Sequence, residues 1–507
     1  MALDFKLLAS SLVVALSLHL PQGSRAAETQ AAAEPQPPNV LFILVDDLGW
    51  KDLGCYGSTF YETPSIDGLA ASGMKFTNGY ASCPVCSPTR ASIMSGKYPA
   101  RLGLTAHIGD PQPEHWNRDT ELLPANYVDR LPLEETTLAE ALHASDYATF
   151  FAGKWHLGSQ DRFWPEYQGF DINKGGWLQG GPFGGKQYFP PYHNPRLPDG
   201  PPGEHLPDRL ATETVRFIES HRHKPFLAYL SFYSVHVPLN AREDLRQKYE
   251  KKRNPFGETE DPIYEWDGET RVRMVQEHAV YAGMVEAMDQ AVGKVLGKLE
   301  ELKLADNTIV IFTSDNGGLS TGDRGISDDQ GWPTSNAPLR AGKGWLYEGG
   351  IRVPLIVRAP GVTKPGYETA EVATSTDFMP TILDLAGIPQ MPDQHADGVS
   401  LVPALKNEKL SRDAVYWHYP HYGNQGGSPG SVIRQGKWKL IDWHEDAELE
   451  LYNLEEDLGE QDNVASANSQ LTSQLLDKLS RWRESVGAAF PKPNAKYVAD
   501  ATAKSEP

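Results

Sequence analysis

Residues 39–45, Asn39-Val-Leu-Phe-Ile-Leu-Val45, form a continuous apolar run near the start of the chain. The run is rich in β-forming residues and lacks polar alternation, which predicts a strand buried on both faces in a parallel sheet. Asp46 and Asp47 follow directly, at the carboxyl end of this strand. Open α/β sheets bind ligands at that end of their strands. We therefore expect an α/β fold with a polar site beside this strand.

Apolar runs and helical patterns alternate along the next 300 residues. Further buried strands are predicted at 147–152, 226–235, 308–313 and 353–357. Helices are predicted to begin near 64 and 137 and to cover 208–221 and 281–299. This alternation predicts a large, mostly parallel sheet sandwiched by helices. We expect the strand at 353–357 to lie near an edge, because Pro354 cannot donate a ladder hydrogen bond.

The sequence pattern changes after residue 392. Short strands at 432–433, 438–441 and 448–452 and a closing helix over 470–486 predict a smaller α+β domain with an antiparallel sheet. The chain is therefore divided into an α/β domain at 39–392 and a C-terminal α+β domain at 393–507.

Leu7–Leu20 is an apolar run followed by small residues up to Ala27. It is too short to span a bilayer comfortably, and it predicts a signal peptide at 1–27, with a retained membrane anchor as the alternative. The polar, Ala- and Pro-rich stretch at 28–38 is a linker. We expect export to a periplasm or to the extracellular space, without stable membrane insertion.

The 507-residue chain carries a net charge of −20. This charge argues against nucleic acid or an acidic membrane surface as a partner. It also gives no general steering of anionic substrates, so any site for an anion must be basic locally.

The stretch Cys83-Pro-Val-Cys86-Ser-Pro-Thr-Arg90-Ala91 predicts a helix that begins near Cys86, with Pro88 in its first turn. A helix N-terminus favours anions and activates nucleophiles, and Arg90 adds a fixed positive charge one turn later. Two other interpretations stay open. A cysteine beside a helix is often a small buried hydrophobe, and Cys83 with Cys86 matches a redox motif.

Oxygen-bearing side chains follow two of the buried strands. Asp46 and Asp47 end the first, and Asp315 and Asn316 end the strand at 308–313. Hard oxygen ligands of this kind suit Ca²⁺ or Mg²⁺ rather than zinc. Each residue alone is better explained as a turn or cap residue. Two such pairs, each after a buried strand, favour a divalent cation site.

Basic and titratable residues occur at further strand ends and in Gly-bracketed turns: Lys154, His156, His236 and Lys343. Taken singly, each is more simply a solvated lysine or a structural histidine. Together with Arg90 they predict a dense positive site in an acidic protein, as a sulfate or phosphate group requires.

These motifs resemble the type I sulfatases of the alkaline phosphatase superfamily. The resemblance rests on Cys86-Ser-Pro-Thr-Arg90, the stretch 39–49, Gly153-Lys-Trp-His-Leu-Gly158, Ser314-Asp-Asn-Gly317, and Gly342-Lys343 with 348–354, in the family's order. It implies an alkaline-phosphatase-like α/β domain with a small C-terminal domain. It also implies a sulfuric ester hydrolase in which a formylglycine-generating enzyme oxidises Cys86 to formylglycine.

The resemblance also implies a role for each site residue. Asp46, Asp47, Asp315, Asn316 and the modified Cys86 would bind the cation, usually Ca²⁺. Arg90, Lys154 and Lys343 would hold the nucleophile and the sulfate, and His156 and His236 would transfer protons. The hydrated aldehyde would attack sulfur, and its second hydroxyl would then allow sulfate to leave. If Cys86 becomes an aldehyde, Cys55 and Cys83 are left as a pair, and we predict a disulfide between them.

The substrate class follows less directly. We expect a sulfated carbohydrate cleaved at the chain end, with aryl sulfates as convenient substitutes. Aromatic residues in loop-like stretches are candidates for a frame around the sugar, although ordinary loop packing explains each of them equally well: Trp177, His193, Trp332, His418, Tyr419 and His421. A phosphatase or phosphonate hydrolase of the same fold is one alternative, and an inactive sulfated-glycan-binding protein is another.

Overall fold

The computed structural model describes residues 1, 11–12, 36–182, 188–253, 263–326 and 332–497. Most of the predicted signal peptide and most of the predicted linker lie outside these residues. Within the described part of the chain, no helix is both long enough and apolar enough to cross a membrane.

The strand Asn39–Val45 lies inside the main sheet and is buried along its whole length. It pairs in parallel with Thr308–Ser314 on one side and with Phe226–Ser231 on the other. Ser231 also pairs with Gly153, so the carboxyl ends of four strands meet at one edge. Among the described residues the sheet has eight strands, in the order Tyr367–Thr369, Met74–Phe76, Leu355–Arg358, Thr308–Ser314, Asn39–Val45, Phe226–Ser231, Ala148–Gly153 and Ile172–Lys174.

Side chains of the central strand point alternately to two hydrophobic clusters, because successive residues of a strand face opposite sides. Leu41 and Ile43 belong to one cluster, and Val40 and Phe42 belong to the other. Helices cover both faces, which confirms the predicted α/β sandwich. The helices are Pro64–Ser72, Cys86–Ser95, Pro99–Leu102, Leu138–His143, Leu206–His221, Glu243–Arg253, Ala279–Glu301, Glu348–Ile351, Phe378–Leu385, Val402–Leu405 and Ser469–Val486.

The predicted smaller antiparallel sheet is also present. Its strands are Val415–Tyr419, Gly430–Gln435, Trp438–Trp443 and Leu449–Asn453, each antiparallel to the next. The helix Ser469–Val486 packs on it through Leu475 and Leu479, which share a buried cluster with Leu440. The domain boundary at residues 392 and 393 stays a prediction.

Two strand predictions differ from the structure in detail. Leu355–Arg358 lies near an edge, as the third strand in the order given above, but it is not an edge strand, because it pairs on both sides with antiparallel neighbours. Pro354 lies just before this strand, so its missing N–H costs no ladder hydrogen bond. The strand predicted at 226–235 ends at Ser231, and the chain then turns towards His236.

The predicted disulfide is absent, and Cys55 and Cys83 are free thiols. Cys55 packs against the hydrophobic cluster of Leu41 and Ile43 on one face of the sheet. Cys83 belongs to a different cluster, with Tyr80 and Trp417. The disulfide was predicted only because two cysteines remain once Cys86 is set aside. The count of cysteines does not show whether two of them are close enough in space to form a bond.

A buried ion cluster connects the antiparallel sheet to the α/β region. Lys439 is fully buried, and its Nζ lies 3.1 Å from Glu348 Oε1 and 2.7 Å from Glu460 Oε1. Lys439→Met would leave both carboxylates buried without this cation, so we expect the free energy of unfolding to fall by about 3–5 kcal/mol. Chemical denaturation at pH 7 measures the loss.

The exposed Lys409 supplies the matched control. Lys409→Met should change the free energy of unfolding by no more than about 0.5 kcal/mol. A loss below about 1 kcal/mol for Lys439→Met would show that the cluster does not stabilise the fold as argued here.

Candidate active site

The oxygen-bearing residues predicted at two strand ends lie together. Because Val45 and Ser314 are register partners, the residues after them are neighbours. The Asp47 amide donates to Asp315 Oδ1 at 3.2 Å, and Asn316 Nδ2 donates to Asp47 Oδ1 at 2.8 Å. Asp46, Asp47, Asp315 and Asn316 are all buried. The sheet therefore places three carboxylates and an amide at one point.

Each of the three carboxylates contacts one of the basic side chains that the sequence places at the site. Lys154 Nζ donates to both oxygens of Asp46 at 2.8 Å. Lys343 Nζ donates to Asp47 Oδ2 at 2.8 Å. Arg90 Nε donates to Asp315 Oδ2 at 2.8 Å. Three carboxylates thus face three buried cations, and their formal charges cancel.

Cys86 is the first residue of the helix Cys86–Ser95, as the sequence pattern predicts. One turn later Arg90 points back to the strand ends, where its Nη1 donates to the Lys154 carbonyl and to Ser231 Oγ at 2.8 and 2.7 Å. Ser231 was not among the predicted site residues. The one feature of the sequence that could have indicated Ser231 is its position at the carboxyl end of a predicted parallel strand.

The two predicted histidines hold opposite tautomers, as inferred from their partners. His156 Nε2 donates to the Ile108 carbonyl at 3.0 Å, so its Nδ1 is an acceptor, which lies 3.1 Å from Ser87 Oγ and 3.6 Å from Cys86 Sγ. His236 Nδ1 donates to the Val237 carbonyl at 2.6 Å. Its Nε2 accepts from Lys343 Nζ at 3.0 Å. Each ring therefore presents an acceptor nitrogen to the site.

Burial sets the protonation of these groups. Burial, together with the nearby charge of Lys343, lowers the pKa of His236 to about 3, so the ring is neutral at pH 7. Burial by itself would lower the pKa of Lys343. The negative charge of Asp47 outweighs this effect, so the pKa of Lys343 is raised. Burial also raises the pKa of the Cys86 thiol. Unmodified Cys86 is thus a protonated thiol, which is a poor nucleophile.

Two site residues adopt the left-handed backbone region. Asp47 has φ of 60° and His156 has φ of 57°, and Ala341 near Lys343 has φ of 54°. Such conformations are uncommon outside glycine and cost about 1–3 kcal/mol where the surroundings impose them. The surrounding fold therefore keeps these residues in a backbone conformation that they would not prefer by themselves, which is common at functional sites.

The donor set fits a hard divalent cation. Asp46 and Asp315 oxygens and Cys86 Sγ lie within 4.8 Å of one another. Asn316 Oδ1 is buried and has no hydrogen-bond partner among the described residues. An unpaired buried acceptor beside three carboxylates is the environment that oxygen-seeking cations occupy.

A cavity of about 460 Å³ opens above this cluster, and Cys86, His156, His236 and Lys343 lie in its wall. The remaining wall comes from loops that carried no periodic signal in the sequence, and it includes His107, Asp323 and Gln425. None of the six aromatic residues considered as a sugar frame lines it. His418, Tyr419 and His421 are buried in packing, and Trp177 with His193 lines a separate cavity.

The chain matches the family model described as Sulfatase over residues 38–388, and the model described as N-sulphoglucosamine sulphohydrolase, C-terminal, over 341–485. It is 33% identical to a sulfatase of Formosa agariphila, over 91% of this chain and 90% of that protein. It is 32% identical to human N-acetylgalactosamine-6-sulfatase, over 76% and 69%. The solved structure of Ps i-CgsB in complex with k-i-k-neocarrahexaose has a TM-score of 0.70 and 28% identity, covering 88% of this chain and 93% of that one.

Proposed function

The chain belongs to the sulfatase family and is a sulfuric ester hydrolase, and from this premise we propose that it removes sulfate from the end of a sulfated carbohydrate, using formylglycine made from Cys86 and a divalent cation. The observation that carries the proposal is the convergence of Cys86, Arg90, Lys154 and Lys343 on the carboxylates at the strand ends. Arg90 and the two lysines neutralise these carboxylates in a chain of charge −20, and the divalent cation would add the excess positive charge that a sulfate ester needs.

The nucleophile would come from the modification of Cys86 by a formylglycine-generating enzyme. A hydrated aldehyde supplies one hydroxyl for attack and a second that allows sulfate to leave. This chain contributes His156, whose Nδ1 faces position 86 and can accept a proton there. The Arg90 guanidinium supports the same position, since the carboxylate of Asp315 and the carbonyl of Lys154 fix it in place.

The cation would be held by Asp46, Asp47, Asp315 and Asn316, together with residue 86. Calcium suits this all-oxygen set, and magnesium is the second choice. Bound there, it would supply positive charge to the sulfate oxygens and lower the pKa of a hydroxyl ligand. Lys154 and Lys343 would then fix the orientation of the sulfate group.

The leaving alcohol needs a proton, and the Lys343–His236 pair can deliver one. Lys343 Nζ donates to His236 Nε2, so the neutral ring would take this proton at Nε2 and release it from the same atom to the leaving oxygen, which leaves Lys343 as a neutral amine until solvent reprotonates it. His236→Ala should lower kcat/KM for a sulfated sugar about 10³-fold, because a sugar alkoxide leaves poorly without an acid. For 4-nitrophenyl sulfate, whose leaving group is stable as an anion, the loss should be below about 10-fold.

The control for this comparison is His193→Ala, since His193 lies outside the cavity. It should leave kcat/KM unchanged for both esters. Equal losses on the two substrates for His236→Ala would remove His236 from the acid role.

Three observations support a carbohydrate substrate. One relative is named for a sulfate on N-acetylgalactosamine, and one solved neighbour holds a neocarrahexaose. The cavity of about 460 Å³ lies in the range that a sugar-sized ligand fills. Its loop-built walls favour the end of a chain over its middle. We also propose export to a periplasm or to the extracellular space, since the stretch 1–27 is predicted to be a signal peptide.

Paired assays test the proposal. Protein whose formylglycine content has been measured should hydrolyse 4-nitrophenyl sulfate with a kcat/KM at least about 100-fold above that for 4-nitrophenyl phosphate. Preference for the phosphate ester would favour a phosphatase of the same fold. Binding of sulfated sugars without release of sulfate would favour a glycan-binding protein.

A further inference from the structure

A second cavity, of about 470 Å³, adjoins the active-site cavity. The two share four lining residues: Asp323, Arg324, Asn424 and Gln425. Gln425 Nε2 donates to Asp323 Oδ2 at 2.9 Å, so this pair forms part of the wall between them. We call the second cavity the tryptophan recess, because Trp266 and Trp332 line it and do not line the active-site cavity. A molecule that extends out of the active site past this wall enters the tryptophan recess.

Trp266 is the most exposed tryptophan among the described residues, with 71% of its surface accessible. One exposed apolar side chain is ordinary on a protein surface, but Trp266 shares its recess with a second tryptophan next to the active-site cavity, and grouped aromatic residues of this kind mark binding surfaces. Trp332, in the same recess, is only partly buried. Nothing in the packing of the described residues accounts for the exposure of Trp266.

Hydrogen bonds hold the β-hairpin that carries Trp266 to the neighbouring parts of the protein. Trp266 lies in the hairpin formed by Tyr264–Asp267 and Thr270–Arg273. Arg340 Nε and Nη2 donate to Asp267 at 2.7 and 2.8 Å, and the Arg273 amide donates to the Ser320 carbonyl at 2.8 Å. Trp332 Nε1 donates to the Arg271 carbonyl at 2.9 Å. The recess is thus a formed structure beside the active site.

The chemistry of the recess suits a sugar ring. Aromatic faces pack against the apolar C–H faces of a pyranose, and two tryptophans offer such faces. The Arg271 guanidinium lies over the Tyr264 ring at 3.8 Å and near the Trp332 ring at 5.4 Å, which holds a positive charge at the edge of the recess. That charge can contact a sulfate or carboxylate group on the same sugar.

We propose that the tryptophan recess binds the sugar unit next to the sulfated one, so that the enzyme is specific for sulfated oligosaccharides. This inference rests on the proposed function, since it assumes that the sulfated unit occupies the active-site cavity. Trp266 is then a specificity residue that contacts only substrates longer than one sugar.

The test compares substrates of different length. We would measure kcat/KM for 4-nitrophenyl sulfate, for sulfated monosaccharides, and for hexasaccharides of chondroitin sulfate, carrageenan and heparin. The wild-type enzyme should prefer at least one hexasaccharide over its own sulfated monosaccharide by about 10-fold or more. Trp266→Ala should remove that preference, and Trp266→Phe should keep most of it. Neither variant should change kcat/KM for 4-nitrophenyl sulfate by more than about twofold.

Tyr167→Ala is the matched control, since Tyr167 is also an exposed aromatic, at 58%, and lines neither cavity. It should keep the hexasaccharide preference. Hydrolysis of 4-nitrophenyl sulfate with no hexasaccharide preferred, or a preference that survives Trp266→Ala, overturns the inference about the recess. Formylglycine-containing protein that hydrolyses none of the sulfate esters overturns the proposed function itself.

Discussion

Replacing Cys86 by alanine should abolish turnover of sulfate esters, with kcat/KM lowered by about 10⁴-fold or more. Alanine cannot be converted to an aldehyde, so the variant lacks the proposed nucleophile while the surrounding charges stay in place. The fold should be preserved, because position 86 is a small buried site at a helix N-terminus. Initial rates with 4-nitrophenyl sulfate measure the loss, and the mass of the peptide containing residue 86 reports the aldehyde in the wild type.

Cys55→Ala is the matched control for this experiment. Cys55 is a free thiol that packs against a core cluster and lines neither of the two adjoining cavities. The control variant should keep its activity and the aldehyde at residue 86. Residual turnover by Cys86→Ala within about 100-fold of the wild type would refute nucleophilic catalysis at this position.

Removal of divalent cations should lower kcat by about 10³-fold or more, and Ca²⁺ should restore it. The physical reason is the charge balance of the site. Asp46, Asp47 and Asp315 are each paired with a buried cation, so the protein alone offers no excess positive charge to a sulfate ester. The measurement is activity after exhaustive treatment with EDTA, with bound metal determined by elemental mass spectrometry.

Stability provides a second readout that does not depend on turnover. Calcium at about 100 times its Kd should raise the free energy of unfolding by about 2.7 kcal/mol. Asp315→Asn should reduce this effect, and Asp462→Asn, an exposed control, should leave it unchanged. Full activity in protein shown to hold no metal would contradict the cation proposal.

Much of the fold was predictable because its signals are local. The apolar run at 39–45 and the amphipathic pattern at 281–299 depend only on neighbouring residues, and both elements formed as expected. The strand at 355–358 shows the limit. Pro354 indicated a position near an edge, but the place of a strand in a sheet depends on which distant strands pair with it.

The sequence by itself determined which side chains are available and at which strand ends they lie, because parallel strands carry their carboxyl ends to one edge. Only the tertiary structure decided the pairing of charges. Lys154 meets Asp46 across 108 residues, and Lys343 meets Asp47 across 296. The same holds for the two histidine tautomers, which depend on the carbonyl that each ring contacts. It holds also for the tryptophan recess, because only long-range packing brings the hairpin that carries Trp266 next to the loops that carry Asp323 and Gln425.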